Sequence, residues 1–321
     1  MNILVMGGTR FMGIALVRRL LDRGHSVTVF NRGARAVSWP GPVAEMKGDR
    51  NDPAAVAVLR QLTLDGVIDM SAYTPLQTQT LLAVLGSVPR FIHCSTGGVY
   101  APQPVLPWPE ETPYGPWELW GQYAADKIAC EQVLRATRPA HLATTAIRIP
   151  YVLGPLNYED REEFVLNRLL DGEEILVPGD GQAVQQFVSS EQVACAMVAA
   201  LETFEGCDWR AFNVASPGFT SLVGFVQICA EVAGTSARIR CVGGGPTGDG
   251  SRSVNRANPL FPFPNVNYVL DLQASVRAGI APPAVSLASM IDSALATLLA
   301  MPERRSWTRT PLERAYLRLD P

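Results

Sequence analysis

The pattern of apolar positions changes period twice within the opening residues. Ile3-Leu4-Val5 is a short continuous apolar run of strand length, whereas Ile14 to Arg23 repeats its apolar positions at helical spacing. Between them lies a turn, Gly7-Gly8-Thr9-Arg10-Phe11-Met12-Gly13. Gly24 ends the helix, and Val27, Val29 and Phe30 form a second strand that stops at Asn31-Arg32-Gly33. The alternation continues downstream. Val43 to Lys47 reads as a strand, Pro53 opens a helix behind an Asp52 cap that runs from Ala54 to Leu62, and Gly66 to Met70 is the next strand. A helix from Gln77 to Leu85, a strand from Arg90 to Cys94 and a long helix from Tyr123 through Arg135 follow. Strands and helices in strict alternation predict an α/β chain whose parallel sheet is covered on both faces. Ligands of such sheets sit at the carboxyl ends of the strands.

The opening strand, turn, helix and strand make a dinucleotide-binding unit of the Rossmann type, and the turn residues say why. Gly7 permits a tight turn, a bare backbone lets a pyrophosphate reach the helix N-terminus, and Gly13 lets helix and strand pack closely. The middle glycine of the usual fingerprint is replaced by Arg10, so a tight turn without a ligand stays open as an alternative. An NAD site ordinarily carries an acid about 20 residues after the glycines, to bond the ribose 2′-hydroxyl. Here that position reads Asn31-Arg32. With Arg10 projecting toward the same corner, two guanidinium groups would grip a 2′-phosphate, which favours NADP(H). In the competing arrangement Arg32 is solvated and Arg10 pairs with an acid such as Asp49, leaving NAD(H) acceptable.

Chemistry is suggested at two further places. Ser95-Thr96-Gly97-Gly98-Val99-Tyr100 is a small polar cluster directly after a buried strand. Tyr123 and Lys127, four residues apart, share a helix face. An ammonium beside a phenol favours the phenolate, which fits a tyrosine for proton transfer near neutral pH, and a hydroxyl such as that of Thr96 would hold the substrate oxygen. A helix face with a snorkelling lysine accounts for the Tyr123/Lys127 pair equally well on spacing alone.

Composition narrows the classes. A chain of 321 residues with 47% apolar content buries a large core and divides into one or two units. Net charge −3, with no basic run longer than Arg304-Arg305, argues against nucleic acid as a partner. No apolar stretch reaches the roughly 18 residues of a membrane span, and the N-terminus enters a strand at once, so the expectation is a cytoplasmic protein without a signal peptide. Cys94, Cys130, Cys195, Cys207, Cys229 and Cys241 form no CxxC pair and read as reduced core residues. His25, His93 and His141 lack metal-ligand spacing, so no metal is expected, and His93 reads as packed within its strand.

Taken in order, these parts resemble the extended short-chain dehydrogenases/reductases, the group of epimerases, dehydratases and reductases, over nearly the whole chain. The resemblance rests on Gly7 to Gly13, Asp49, Thr96 with Val99-Tyr100, Tyr123/Lys127, the stretch Arg148-Ile149-Pro150-Tyr151-Val152-Leu153-Gly154-Pro155, Gly179-Asp180-Gly181 through Phe187-Val188, Phe212 to Ser216, and Ser221-Leu222. It implies Thr96, Tyr123 and Lys127 as catalytic residues. It also implies a cofactor site of Gly7, Thr9, Arg10, Phe11, Met12, Gly13, Asn31, Arg32, Asp49, Arg50, Ser71, Lys127 and Pro150, and substrate contacts from Gly98, Tyr100, Tyr123 and Gln185. The opening turn and Val-Phe-Asn-Arg-Gly look most like an atypical branch that includes the chloroplast stem-loop-binding proteins, where the catalytic pair can be missing. Both members are present here, which favours an enzyme acting on a sugar-like, nucleotide-linked or free substrate over a dinucleotide-binding regulator or RNA binder. One departure is Gln185-Gln186, where nucleotide-sugar members carry Arg-Asp; Gln185 lacks the charge to grip a phosphate, and Arg252 or Arg277 would have to replace it.

The expected organisation is a Rossmann-type doubly wound domain over 1–155, joined by a return at about 187–216, with a smaller substrate lobe from 156–186 and 217–321. A homodimer stays open. The glycine-rich run 243–250 reads as a flexible loop or a second phosphate nest, and the arginine-rich tail from Arg304 to Arg318 as solvated or covering a neighbour.

Overall fold

The computed structural model describes residues 1–321 except 116, 138–139, 204–207, 244–258 and 319–321. The glycine-rich run beyond Gly243, Arg252 and Cys207 lie outside the described residues. The elements are β1 (Asn2–Met6), α1 (Met12–Asp22), β2 (Ser26–Asn31), β3 (Val43–Lys47), α2 (Pro53–Ala57), β4 (Gly66–Asp69), α3 (Pro75–Leu82), β5 (Arg90–Thr96), α4 (Gly121–Thr137) and β6 (Ala143–Ile149). They continue with β7 (Tyr151–Leu153), α5 (Glu162–Leu170), β8 (Glu174–Pro178), β9 (Val184–Ser189), α6 (Ser190–Thr203) and β10 (Trp209–Asn213). The last are β11 (Phe219–Ser221), α7 (Leu222–Val232), β12 (Arg238–Val242), α8 (Gln273–Arg277), α9 (Leu287–Ala300) and α10 (Pro311–Leu317).

Seven strands form one parallel sheet in the order β10-β6-β5-β4-β1-β2-β3, so the chain reverses direction across the sheet beside β1. Both faces are covered, which is why every residue of β4 and β6 is buried and neither strand alternates in polarity. On one face Ile3, Val5 and Val29 pack against Leu16, Val17 and Leu20 of α1 and Met197 of α6. On the other, Leu4, Met6 and Phe91 meet Leu81 of α3 and Leu134 of α4.

Pro150 interrupts the path at the end of β6. It has no N–H for a ladder, and the chain leaves the large sheet there to enter β7 of a three-stranded sheet ordered β11-β9-β7. β8 and β12 pair separately, and α5, α7 and α9 close over a core rich in rings, including Phe164, Phe187, Phe225, Phe261 and Phe263. Between β9 and β11 the chain returns to the large sheet through α6 and β10.

The arginine-rich tail is docked rather than solvated. Arg168 of α5 forms a bidentate pair with the buried Glu313 of α10 (2.7 Å for each bond), and Arg304 reaches Glu163. Cys241 also departs from expectation, lying exposed in β12, while Cys94, Cys130 and Cys229 are buried thiols. No described helix is long and apolar enough to cross a membrane, and no metal-ligand cluster occurs among the described residues.

Candidate active site

Two cavities open along the carboxyl ends of the large sheet. The first, about 580 Å³, is built on the glycine turn. Gly7 has φ 100°, a conformation that disfavours side chains, and its N–H bonds Phe30 O at 2.9 Å. A Cβ on Gly13 would lie 2.7 Å from the Gly8 Cα, so only glycine lets α1 start this close to the turn. That helix has no side-chain cap at Phe11, leaving its N-terminus to a ligand at the turn.

Gly7, Thr9, Arg10, Phe11, Met12, Gly13, Asn31, Arg32, Asp49, Arg50 and Ser71 all line this first cavity. Arg50 grips the buried Asp69 through two bonds of 2.7 and 2.9 Å and donates to Ser71 Oγ at 2.7 Å. Burial alone would raise the Asp69 pKa, but the Arg50 guanidinium holds it below the usual carboxylate value. Arg50 therefore acts as a wall fixed to β4. At the end of β2, Asn31 Oδ1 accepts from Gly33 N at 2.6 Å, while its buried Nδ2 has no partner among the described residues. Such an orphaned donor fits a cavity that takes a polar ligand.

Arg10 departs from expectation. Its guanidinium lies over the Tyr158 ring, 3.9 Å from the centroid, where the two cavities meet, a partner that neither sequence arrangement offered. Arg35, exposed and unanticipated, lines the cavity with Arg32 instead.

The second cavity, about 560 Å³, brings Thr96, Gly98, Tyr123, Lys127 and Pro150 together. Thr96 ends β5 and its Oγ1 accepts from Gly98 N at 3.1 Å, which fixes the hydroxyl at the lip of the strand. Lys127 is buried, and its Nζ donates to Ala72 O at 2.9 Å and Cys94 O at 2.6 Å. The lysine thus ties α4 to the ends of β4 and β5, holding Tyr123 one turn earlier on the same face. The wall also carries Arg10, Glu159 and Arg161, and Trp120, Tyr151, Tyr158 and Tyr268 add aromatic surface to it. None of these four was anticipated as a site residue; for Tyr158 the signal was an aromatic within the polar stretch Asn157 to Arg161.

Tyr100 and Gln185 stand outside both cavities. Tyr100 is fully buried, donating to Asn213 Oδ1 at 2.7 Å and accepting from Arg148 Nη1 at 2.9 Å. The 3-10 turn at Gly97–Val99 directs it inward, to a network in which Arg148 also pairs with the buried Glu131 at 2.7 Å. Gln185 lies in β9, where its Nε2 donates to Pro264 O at 3.1 Å and Val266 O at 2.6 Å. Gln186 likewise donates to Ser216 O at 3.0 Å and accepts from Leu270 N at 2.9 Å. The glutamine pair is neither a substrate contact nor a solvated loop: it staples 264–270 onto β9. Arg277 sits on α8, donating to Gln273 Oε1 at 3.3 Å. His93 is packed, as expected, and burial lowers its pKa to about 3.

Comparison with known proteins is consistent with this geometry. The family described as NAD dependent epimerase/dehydratase matches residues 3–215. Chloroplast stem-loop binding protein of 41 kDa b from Arabidopsis thaliana is 31% identical over 73% of this chain, which spans 63% of that protein's length. UDP-glucose 4-epimerase from Corynebacterium glutamicum is 27% identical over 73% of this chain and 81% of its own. Among solved structures, UDP-glucose 4-epimerase from Bifidobacterium longum in complex with NAD+ and UDP superposes with a TM-score of 0.76 at 19% identity, covering 95% of this chain and 100% of that one, a likeness of fold.

Proposed function

Because the chain belongs to the NAD dependent epimerase/dehydratase family, we propose that it is an NAD(P)-dependent oxidoreductase or epimerase acting on a small, polar, sugar-like substrate. One observation carries the reading: Thr96, Tyr123 and Lys127 line a single cavity that runs into the cavity of the glycine turn through Arg10, Phe11, Met12, Met70, Tyr73 and Tyr158. A dinucleotide fits this cleft because the Gly13 approach, the uncapped α1 and the orphaned Asn31 amide all favour a polar, anionic ligand in the first cavity. The nicotinamide, when bound, supplies or takes up hydride. Tyr123 exchanges a proton with the substrate hydroxyl or carbonyl, and the Thr96 hydroxyl orients that oxygen. Lys127, held by two backbone carbonyls, places its Nζ one helical turn from Tyr123. Arg32 and Arg35 at the adenosine end, with no acid at the end of β2, support NADP(H) over NAD(H).

The test begins with mass spectrometry of ligands retained by the purified protein, which names the substrate. Tyr123→Phe is then expected to lower turnover of that substrate by about a hundredfold or more while NADPH affinity stays within a few-fold. Retained turnover would sink the catalytic assignment. A second reading, stem-loop binding, comes from the likeness to the Arabidopsis thaliana stem-loop binding protein. The net charge of −3 weighs against it, because phosphate contacts dominate such affinity.

A further inference from the structure

We propose that Arg10 and Tyr158 clasp the bound dinucleotide where the two cavities meet, so that the loop over 154–161 must open before the cofactor leaves. This rests on the reading that the cleft takes a dinucleotide. Such a ligand spans both cavities, and the residues common to the two are few: Arg10, Phe11, Met12, Met70, Tyr73 and Tyr158. Arg10 and Phe11 come from the glycine turn, Tyr158 from the loop after β7. The Arg10 guanidinium lies 3.9 Å from the Tyr158 ring centroid, and the Phe11 ring meets Tyr158 edge-on at 6.2 Å and 86°. A guanidinium over a ring face retains N–H donors that the ring does not use and that can turn to an anion.

Backbone strain marks both halves of this contact. Among the described residues three non-glycine positions have positive φ, and two of them flank the clasp: Phe11 at 42° and Leu156 at 62°. Strained residues of this kind cluster at ligand clamps and persist only where the surroundings over-determine them. Phe11 and Leu156 also line one separate groove against α6. The base of the loop is tied down, with Asn157 Nδ2 donating to Val152 O at 3.2 Å and Arg161 Nη1 to the same carbonyl at 3.1 Å. Its tip, Tyr158, is 45% exposed and is held by side chains alone: the Arg10 guanidinium, the Phe11 ring and a side-chain hydrogen bond with Tyr73. An anchored base with an exposed aromatic tip, resting on a residue of the opposing turn, is the shape of a hinged closure.

The experiment is stopped-flow release of NADPH, followed by its fluorescence after mixing the preloaded protein with excess NADP+. Tyr158→Ala and Arg10→Met are each expected to release NADPH about tenfold faster, mostly through the dissociation rate. Tyr158→Phe, which keeps the ring, is expected to stay within about threefold of wild type. Wild-type release rates in Tyr158→Ala, or a Tyr158→Phe variant as fast as the alanine variant, would overturn the clasp alone. A wild-type protein that binds neither NADPH nor NADH overturns the clasp together with the dinucleotide reading.

Discussion

Glu162, the first residue of α5, supplies a stability prediction with a characteristic dependence on pH. Its carboxylate is fully buried, accepting from Gly154 N at 2.8 Å and Asn157 Nδ2 at 3.0 Å. Burial pushes its pKa from 4.5 up to about 7, against these hydrogen bonds and the neighbouring Arg161. The unfolded chain releases this proton near 4.5, while the fold retains it up to about 7. Stability therefore falls as pH rises through that window, and the cost is complete above it. The gap corresponds to about 3 kcal/mol, an order of magnitude only. Glu162→Gln removes the ionisation. At pH 5, where the native acid is neutral, the amide sets an N–H against the Asn157 donor and is expected to cost about 1 kcal/mol. At pH 8 the same variant is expected to be more stable than wild type by about 2 kcal/mol, the ionisation cost less that mismatch. Urea unfolding of both proteins at pH 5, 6, 7 and 8 measures the crossing. A difference between variant and wild type that stays constant across this range would refute the reasoning.

Two further perturbations address the cofactor end. Gly13→Ala puts a Cβ 2.7 Å from backbone at Gly8, and is expected to cost about 1–3 kcal/mol in urea unfolding and to weaken NADPH binding, because the turn must move; unchanged affinity by fluorescence titration would count against the turn as the phosphate cradle. Arg32→Asp places an acid at the end of β2, and is expected to weaken NADPH by about tenfold or more while leaving NADH within a few-fold; equal wild-type affinities for the two dinucleotides, or undiminished NADPH binding in the variant, would defeat the preference.

The large sheet was legible because local and global signals agree there. Apolar runs, glycine breaks and the Asp52 cap all report structure within a few residues, and the parallel order follows from alternation of element type. Residues at strand ends inherit that legibility, so Thr96 and the glycine turn line the cleft, and Lys127 joins them from α4. The misplacements share a different cause. Tyr100 and Gln185 are polar residues beside recognisable motifs, and only the long-range contacts with Arg148 and Asn213, or with Pro264 and Val266, reveal that their polar atoms are spent on the fold. A sequence pattern reports that a hydroxyl or amide is present, not whether a distant carbonyl already occupies it.

The same argument explains why Arg10 was assigned to the wrong neighbour. From the sequence, Arg32 is its natural companion, since both flank one strand, helix, strand unit and a phosphate would satisfy both. The partner that wins is Tyr158, about half the chain away, brought across when Pro150 turns the chain out of the large sheet and β7 leads into the loop beside the glycine turn. A guanidinium over a ring face gains cation–π attraction that no pattern within the opening unit signals. The arrangement also divides the labour along the cleft. On the proposed dinucleotide reading, Arg32 and Arg35 belong to the adenosine end of the first cavity, and Arg10, which lines both cavities, belongs to the midpoint. A cation at that midpoint would act on the part of a dinucleotide common to NAD and NADP. Cofactor choice and cofactor retention are then separable, the first moved by Arg32→Asp and the second by Arg10→Met.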